Sequence, residues 1–216
     1  MRLCKPPDIA CRAKFATLRS VNTQTTIFLG PQGSGKGTQA KLLKEYLERN
    51  DSVHSVRYLE MGRSLREFGE SGGYTQQLVH ESLLRGELQP AFLSSYLMAK
   101  FFIEEVKGEE HIVVDGFPRE LVQANIFDTA IEFYKRKPVL LYVNVPDEEA
   151  VARLLKRGRN DDTEEGIRHR LSWSRVQMMP TIEAYKNNAL YRVVEINGAQ
   201  EREAVHQNIL KALSLT

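Results

Sequence analysis

The sequence predicts an α/β fold in which helices cover both faces of a five-stranded parallel sheet. Five short apolar, β-rich segments alternate with helical stretches along the chain, and this alternation is typical of a parallel sheet. A glycine-rich turn directly follows the first of these strands. The hydrophobic fraction of 42% is enough for a buried core. No apolar run approaches the roughly 20 residues that a bilayer-spanning helix needs, so we expect no membrane association.

The first strand is the apolar run at 25–29, and further strands are predicted at 54–58, 112–114, 139–145 and 191–196. After the glycine-rich turn, a helix is indicated by apolar residues at helical spacing: Ala40, Leu42, Leu43, Tyr46 and Leu47. Later helices are predicted at 92–106, 120–135, 147–157, 163–187 and 200–213. Because such sheets bind ligands at the carboxyl ends of their strands, the segments that follow the strands are the candidate sites.

Residues 1–22 are predicted to be a basic extension that precedes a single domain at 23–216. The extension holds five basic residues and one acidic residue, and Pro6 and Pro7 interrupt any helix in it. We expect a tail without a targeting role, or a misassigned start codon, and a cytoplasmic protein; import into an organelle through this segment is the alternative. The rest of the chain is slightly acidic, which gives no support to nucleic-acid binding.

Cysteine and histidine positions argue against a disulfide framework and against a metal site built from these two residue types. Cys4 and Cys11 are the only cysteines, and this number excludes a disulfide framework or a four-cysteine zinc site. The five histidines are scattered without metal-ligand spacing, so we assign none of them a catalytic role. Trp173, Met178 and Met179 lie at helical spacings and are predicted to belong to the core.

The turn after the first strand reads GPQGSGKGT and predicts a phosphate-binding loop of the P-loop NTPase type. Small residues let successive backbone N–H groups converge on phosphate oxygens, and the following helix adds the partial positive charge of its N-terminus. A strict version of this motif has Ser or Thr directly after the lysine, whereas here Gly37 intervenes before Thr38. The candidate ATP-binding residues are Gly33, Ser34, Gly35, Lys36, Gly37 and Thr38.

A second motif, DGFPR, follows the strand at 112–114 and contains Asp115, Gly116 and Arg119. A carboxylate at this position can hold the hydration shell of Mg²⁺, an ion that sheds water reluctantly. The planar guanidinium of Arg119 can grip a phosphate with two hydrogen bonds. The amide of Gln123, four residues later, offers a donor and an acceptor that complement an adenine edge. An ordinary turn and helix cap is the structural alternative.

These motifs and a third segment, RLLKRGRNDDTEEGIRHRL at 153–171, resemble the adenylate kinase family over about residues 24–216. We expect a monomer and direct in-line transfer without a covalent intermediate or dedicated general base. The resemblance implies reversible phosphoryl transfer from Mg·ATP to a nucleoside monophosphate, AMP in the first place. It implies that Arg153 stacks on the donor adenine and that Gly198 touches that base through its backbone. It also implies that Arg157, Arg159 and Arg170 line the transferred phosphoryl group and that Asp161 and Asp162 hold the lid arginines in place. The candidate catalytic residues are Lys36, Arg119, Arg157, Arg159 and Arg170.

The acceptor-binding segment departs from the family pattern. Residues 59–91 are predicted to form a helical acceptor-binding insert, in which Arg66 grips the acceptor phosphate and Gly116, Arg119 and Gln123 complete the pocket. Where the family usually reads STGD, this chain has Glu60-Met61-Gly62-Arg63. Met61 either fills the core or alters the choice of base, because it adds bulk and lacks a hydroxyl. A kinase for UMP, CMP or another acceptor therefore stays open beside AMP.

The lid, predicted at 157–162, is shorter than in other members, since Gly158 alone separates two arginines. Lid closure excludes water, so we expect either more ATP hydrolysis or completion of the site by a partner subunit. A non-catalytic ATP-binding module, regulatory or in assembly, is a rival that the short lid would suit, and the retained arginines argue against it. A bare ATPase is a further rival.

Overall fold

The computed structural model describes residues 23–158 and 163–215, without the side chain of Trp173. The five strands are β1 (Thr25–Leu29), β2 (Val56–Glu60), β3 (His111–Asp115), β4 (Val139–Asn144) and β5 (Arg192–Asn197). They form one sheet in the order β2-β3-β1-β4-β5, and every pairing is parallel. The predicted α/β fold is confirmed. Predictions for the extension at 1–22, for Arg159 and for Asp161 and Asp162 lie outside the described residues.

Eight helices connect and cover the strands within the described part of the chain. Their bounds are α1 (Lys36–Asn50), α2 (Met61–Glu70), α3 (Tyr74–Leu84), α4 (Ala91–Glu105), α5 (Leu121–Phe133), α6 (Asp147–Arg157), α7 (Glu164–Lys186) and α8 (Arg202–Ala212). Most predicted bounds are within two residues of the observed ones. Strand β2 starts two residues later than predicted, because the N–H groups of Val53 and His54 both donate to Oδ1 of Asp51 and hold this segment in a turn.

The core has one apolar layer on each face of the sheet. Alternate residues of β1 point to opposite layers: Ile27 and Leu29 to one, Phe28 to the other. The first layer includes side chains of α2, α3, α4, α5 and α7, and the second includes side chains of α1 and α8. Met178 is buried in the first layer and Met179 packs against it, as predicted. Both faces are thus covered, which explains why the central strands read as continuous apolar runs.

Helix α6 ends where the predicted lid at 157–162 begins. Its first turn carries three acidic residues and its last turn carries Lys156 and Arg157, so both ends complement the helix dipole. The helix ends at Gly158, whose φ of 67° is the left-handed conformation that glycine adopts without a steric penalty. The next helix, α7, begins after Thr163, whose side chain accepts a hydrogen bond from the Gly166 N–H. None of the described helices is long and apolar enough to span a membrane.

Candidate active site

The glycine-rich loop lies between β1 and α1, on the central strand of the sheet. Gly33 is packed against α6 so closely that an added Cβ would lie 2.7 Å from the Ala150 carbonyl oxygen, and its φ of +79° is left-handed. Only glycine fits there without a shift of the backbone. Gly35 precedes the helix in the same conformation, and α1 begins at Lys36. The loop therefore presents backbone N–H groups at a helix N-terminus, the arrangement that binds phosphate.

Lys36 is held within this loop. Its Nζ donates a hydrogen bond of 3.1 Å to the carbonyl oxygen of Pro31. The pKa of this ammonium group is lowered from 10.5 to about 8, chiefly by burial; the charge of Asp115 opposes this shift, and the positive charges of Arg119 and Arg157 contribute to it. A buried cation with few counter-charges is suited to receive phosphate oxygens, which would raise its pKa again.

Asp115 is the last residue of β3 and is only 7% exposed. Its Oδ2 receives a 3.5 Å hydrogen bond from the hydroxyl of Tyr58, while its Oδ1 is buried and accepts no hydrogen bond. Burial raises the pKa of this carboxyl, and the charge of Glu60 adds to the rise, while Lys36 is the main opposing charge. This buried oxygen has no donor, so it could accept a hydrogen bond from a water of a hydrated divalent cation.

Arg119 lies beside the same group of charges. Its Nε donates to the Gly116 carbonyl oxygen at 2.9 Å, and burial lowers its pKa. Because the charges of Asp115, Arg119 and Arg157 all act on Lys36, the structure brings these four predicted residues together. They form one charged cluster at the carboxyl ends of β1 and β3, in which the charges of Lys36 and Arg119 act directly on Asp115.

Arg153 joins the loop to the end of β5. Its Nη2 donates to the Gly198 carbonyl oxygen at 2.9 Å and pairs with Glu149, and its Nη1 lies 3.5 Å from the Gly33 carbonyl oxygen. The predicted donor-base residues Arg153 and Gly198 are therefore in direct contact. Their position on the β4–β5 side of the loop is opposite to the predicted acceptor insert.

The predicted acceptor residues occupy the β2–β3 side. Met61, the first residue of α2, is 2% exposed and belongs to the apolar core, as the core-filling account expects. Arg66 extends from the same helix, and its Nη2 is 3.7 Å from Oε1 of Glu60. Gln123 is buried: its Oε1 accepts from the Arg119 N–H at 2.8 Å. Its Nε2 donates to Oγ of Ser94 and to Glu120, so the backbone and its neighbours set the direction of the amide.

Arg170 lies on α7 and is 6% exposed. It packs against Gly86, since a Cβ added there would be 3.2 Å from both Cδ and Nη1 of the arginine. The two residues line a cavity of about 290 Å³ together with Glu87 and His169. The structure thus places Arg66 beside Glu60 and Arg170 beside Gly86.

Two features were missed by sequence reasoning. Glu60 ends β2 directly opposite Asp115 in the parallel register, which no sequence motif indicates. At the amino ends of the same two strands, Oδ2 of Asp51 lies 2.7 Å from Nδ1 of His54 and 2.9 Å from Nε2 of His111. These three could be read as metal ligands. However, the Gln24 N–H donates to Nδ1 of His111, so Nε2 carries the proton and donates to Asp51. The cluster is therefore hydrogen-bonded as it stands.

Comparisons with known proteins agree with this geometry. The family model described as adenylate kinase matches residues 28–190. An adenylate kinase of Prochlorococcus marinus (strain MIT 9515) is 35% identical over 173 residues, which cover 80% of this chain and 90% of the relative. One of Synechococcus sp. (strain RCC307) is 35% identical over 189 residues, covering 87% and 97%. One of Thermus thermophilus is 34% identical over 197 residues, covering 89% and 98%.

Proposed function

The chain belongs to the adenylate kinase family and is a nucleoside monophosphate kinase, and we propose that it transfers the terminal phosphoryl group of Mg·ATP reversibly to AMP. The observation that carries this proposal is the charged cluster of Lys36, Asp115, Arg119 and Arg157 at the phosphate-binding loop. Phosphoryl transfer requires little covalent chemistry, and it depends on positive charge and positioning around the transferred group. The three cations of this cluster support that chemistry.

The proposed mechanism is in-line transfer without a covalent intermediate or a dedicated general base. Lys36 neutralises charge on the donor phosphates, and its buried position strengthens this interaction. Arg119 and Arg157 stabilise the transferred phosphoryl group, and we assign the same role to Arg159 and Arg170. An arginine in such a role contributes about 10³–10⁵ in rate.

Magnesium is proposed to accompany ATP, held by Asp115 through water. Oδ1 of this residue is buried and accepts no hydrogen bond, so a water of the hydrated ion has an acceptor there. Thr38, in the first turn of α1, carries a hydroxyl that we propose as a further group for the ion or the phosphates. When bound, the ion would neutralise charge on the phosphate oxygens.

The two nucleosides are proposed to bind on opposite sides of the loop. Arg153 and the backbone of Gly198 hold the donor base, and the segment 59–91 holds the acceptor with Arg66 on its phosphate. Gln123, Gly116 and Met61 line the acceptor base, where Met61 acts through its volume because it offers no strong hydrogen-bonding group. We propose residues 157–162 as the lid, and a monomeric cytoplasmic enzyme.

Parallel assays test the substrate assignment. Phosphoryl transfer from Mg·ATP is measured with AMP, UMP, CMP, GMP and dAMP as acceptors, beside a control without acceptor. We expect AMP to be the preferred acceptor. A preference for another monophosphate would keep the mechanism and move the explanation to Met61 and Arg63, whereas no transfer to any acceptor would refute the proposed activity.

The control without acceptor also tests the lid. A short lid admits water to the donor phosphate, so we expect ATP hydrolysis to be measurable without acceptor unless a second subunit closes the site. Sedimentation of the same sample determines its oligomeric state. Negligible hydrolysis by a strict monomer would contradict the expected effect of the lid.

A further inference from the structure

The carboxyl ends of β2 and β3 place two acids side by side. Glu60 and Asp115 are register partners in adjacent parallel strands, whose backbones lie about 4.8 Å apart. Partners in register point to the same face of the sheet. Tyr58, two residues before Glu60, reaches Asp115 on this face. The two carboxylates are therefore neighbours at the end of the sheet that holds the phosphate-binding loop.

Both acids also face the same side of helix α1. A Cβ added at Gly37 would be 3.0 Å from Oδ2 of Asp115, and Nζ of Lys41, one helical turn further, is 3.2 Å from Oε2 of Glu60. Residues four apart lie on one face of a helix. Asp115 thus lies beside the first turn of α1, nearer to the loop, and Glu60 lies beside the second turn.

We propose that Glu60 is a second carboxylate for the hydrated magnesium ion that accompanies the nucleotide, an inference that rests on the proposed function. Mg²⁺ keeps several waters in protein sites. Each water has protons to donate, and carboxylates on adjacent strands can both receive them from one ion. The buried Oδ1 of Asp115, which accepts no hydrogen bond, supplies the independent sign that a donor is expected at this position.

The present partners of Glu60 are exchangeable. The side chain of Lys41 is 58% exposed and that of Arg66 is 45% exposed, and exposed ion pairs of this kind are weak. A divalent ion near the phosphates is a stronger attraction than either. Lys41 therefore competes with the ion for Glu60, and this competition can be measured.

The test is the binding of a non-hydrolysable ATP analogue by calorimetry, once with Mg²⁺ and once with EDTA. The quantity compared is the factor by which Mg²⁺ enhances the affinity. In Glu60→Gln we expect this factor to fall about tenfold, the lower range for residues that act through a metal's own ligands. Without metal, the affinity should be unchanged or higher, because a negative charge near the phosphates has been removed.

Two further variants complete the design. Glu67→Gln, which removes an exposed acid from α2 that pairs with Arg63, is the matched control and should leave the factor unchanged. Lys41→Met releases Glu60 from its ion pair and should increase the factor, so the proposal stays testable if Glu60→Gln is poorly folded.

The outcomes separate this proposal from its alternatives. An unchanged factor in Glu60→Gln, or equal losses with and without metal, would overturn it. AMP binding is measured in the same way. If Glu60→Gln changes only the affinity for AMP, the proposal is also overturned, and Glu60 then acts on the acceptor phosphate through Arg66. The measurement requires no turnover, so it is distinct from the acceptor assays, whose failure would refute the kinase proposal itself.

Discussion

Lys36→Met is expected to make the protein more stable and inactive at the same time. The ammonium group is buried, and its pKa is lowered from 10.5 to about 8, chiefly by loss of hydration. The unfolded chain binds this proton more tightly than the folded one. At pH 7 the folded state therefore bears a cost of about 3 kcal/mol, which an uncharged side chain of similar length removes. The hydrogen bond to Pro31 is lost in the variant, which offsets about 1 kcal/mol.

The pH dependence identifies the cause. A lysine with a lowered folded pKa destabilises the fold below that pKa, and the cost declines as the pH rises through 8 towards 10.5. At pH 9.5 the cost is about 1.5 kcal/mol. The stability advantage of Lys36→Met over the unaltered chain should thus shrink by about 2 kcal/mol between pH 7 and pH 9.5. Urea unfolding at both values measures it, and turnover should fall by about 10³ or more.

The control is Lys44→Met, which removes an exposed lysine that pairs with Glu48 on the same helix. It measures how stability responds at the two pH values when an exposed lysine on this helix is removed. The reasoning fails if the Lys36 variant shows the same difference at both pH values. Near-normal turnover in that variant would separately refute the role of Lys36 in transfer.

Three other changes give distinct expectations. Gly86→Ala places a Cβ 3.2 Å from Arg170 at a φ of +69°, so we expect about 1 kcal/mol lower stability in urea and several-fold slower transfer; unchanged kinetics would remove Arg170 from the acting set. Asp51→Asn leaves either the imidazoles or the backbone N–H groups of Val53 and His54 facing the amide NH₂ group, and thermal unfolding at pH 7 should show a loss of about 1–3 kcal/mol. Because hydrogen bonds from His54 and His111 lower the pKa of Asp51, this loss should be present above about pH 4 and disappear in acid; a loss that persists in acid would contradict the assignment. Met61→Thr should raise the preference for AMP over UMP several-fold in competition assays, and an unchanged preference would make Met61 a core residue only.

The fold was predictable because its three central strands, β1, β3 and β4, are buried on both faces. Their apolar runs are continuous, and a parallel sheet requires helices between them, so the periodicity changes mark the element borders. The start of β2 was less predictable. The side chain of Asp51 fixes a turn at Val53 and His54, and an apolar residue in a turn carries no signal that distinguishes it from a strand.

The candidate site also has residues that could be predicted from the sequence and residues that could not. Lys36 and its loop could be predicted because a contiguous segment binds phosphate mainly through its own backbone. Glu60 could not be predicted, because its role depends on Asp115, which is 55 positions away in the sequence and is placed beside it by the strand register. The Asp51 cluster likewise joins residues from two elements. Gln123 was predictable as a residue but not as a fixed amide, since its direction depends on the Arg119 N–H.

The strand order has a consequence for how such an enzyme can change over time. The proposed acceptor residues lie on the β2–β3 side and the proposed donor-base residues at the end of β5, with the loop on β1 between them. Four strand spacings, roughly 19 Å, separate β2 from β5. Mutations at Met61 or Arg63 can therefore accumulate without disturbing the donor base. The sheet acts as a spacer that lets one substrate preference drift while the other is retained.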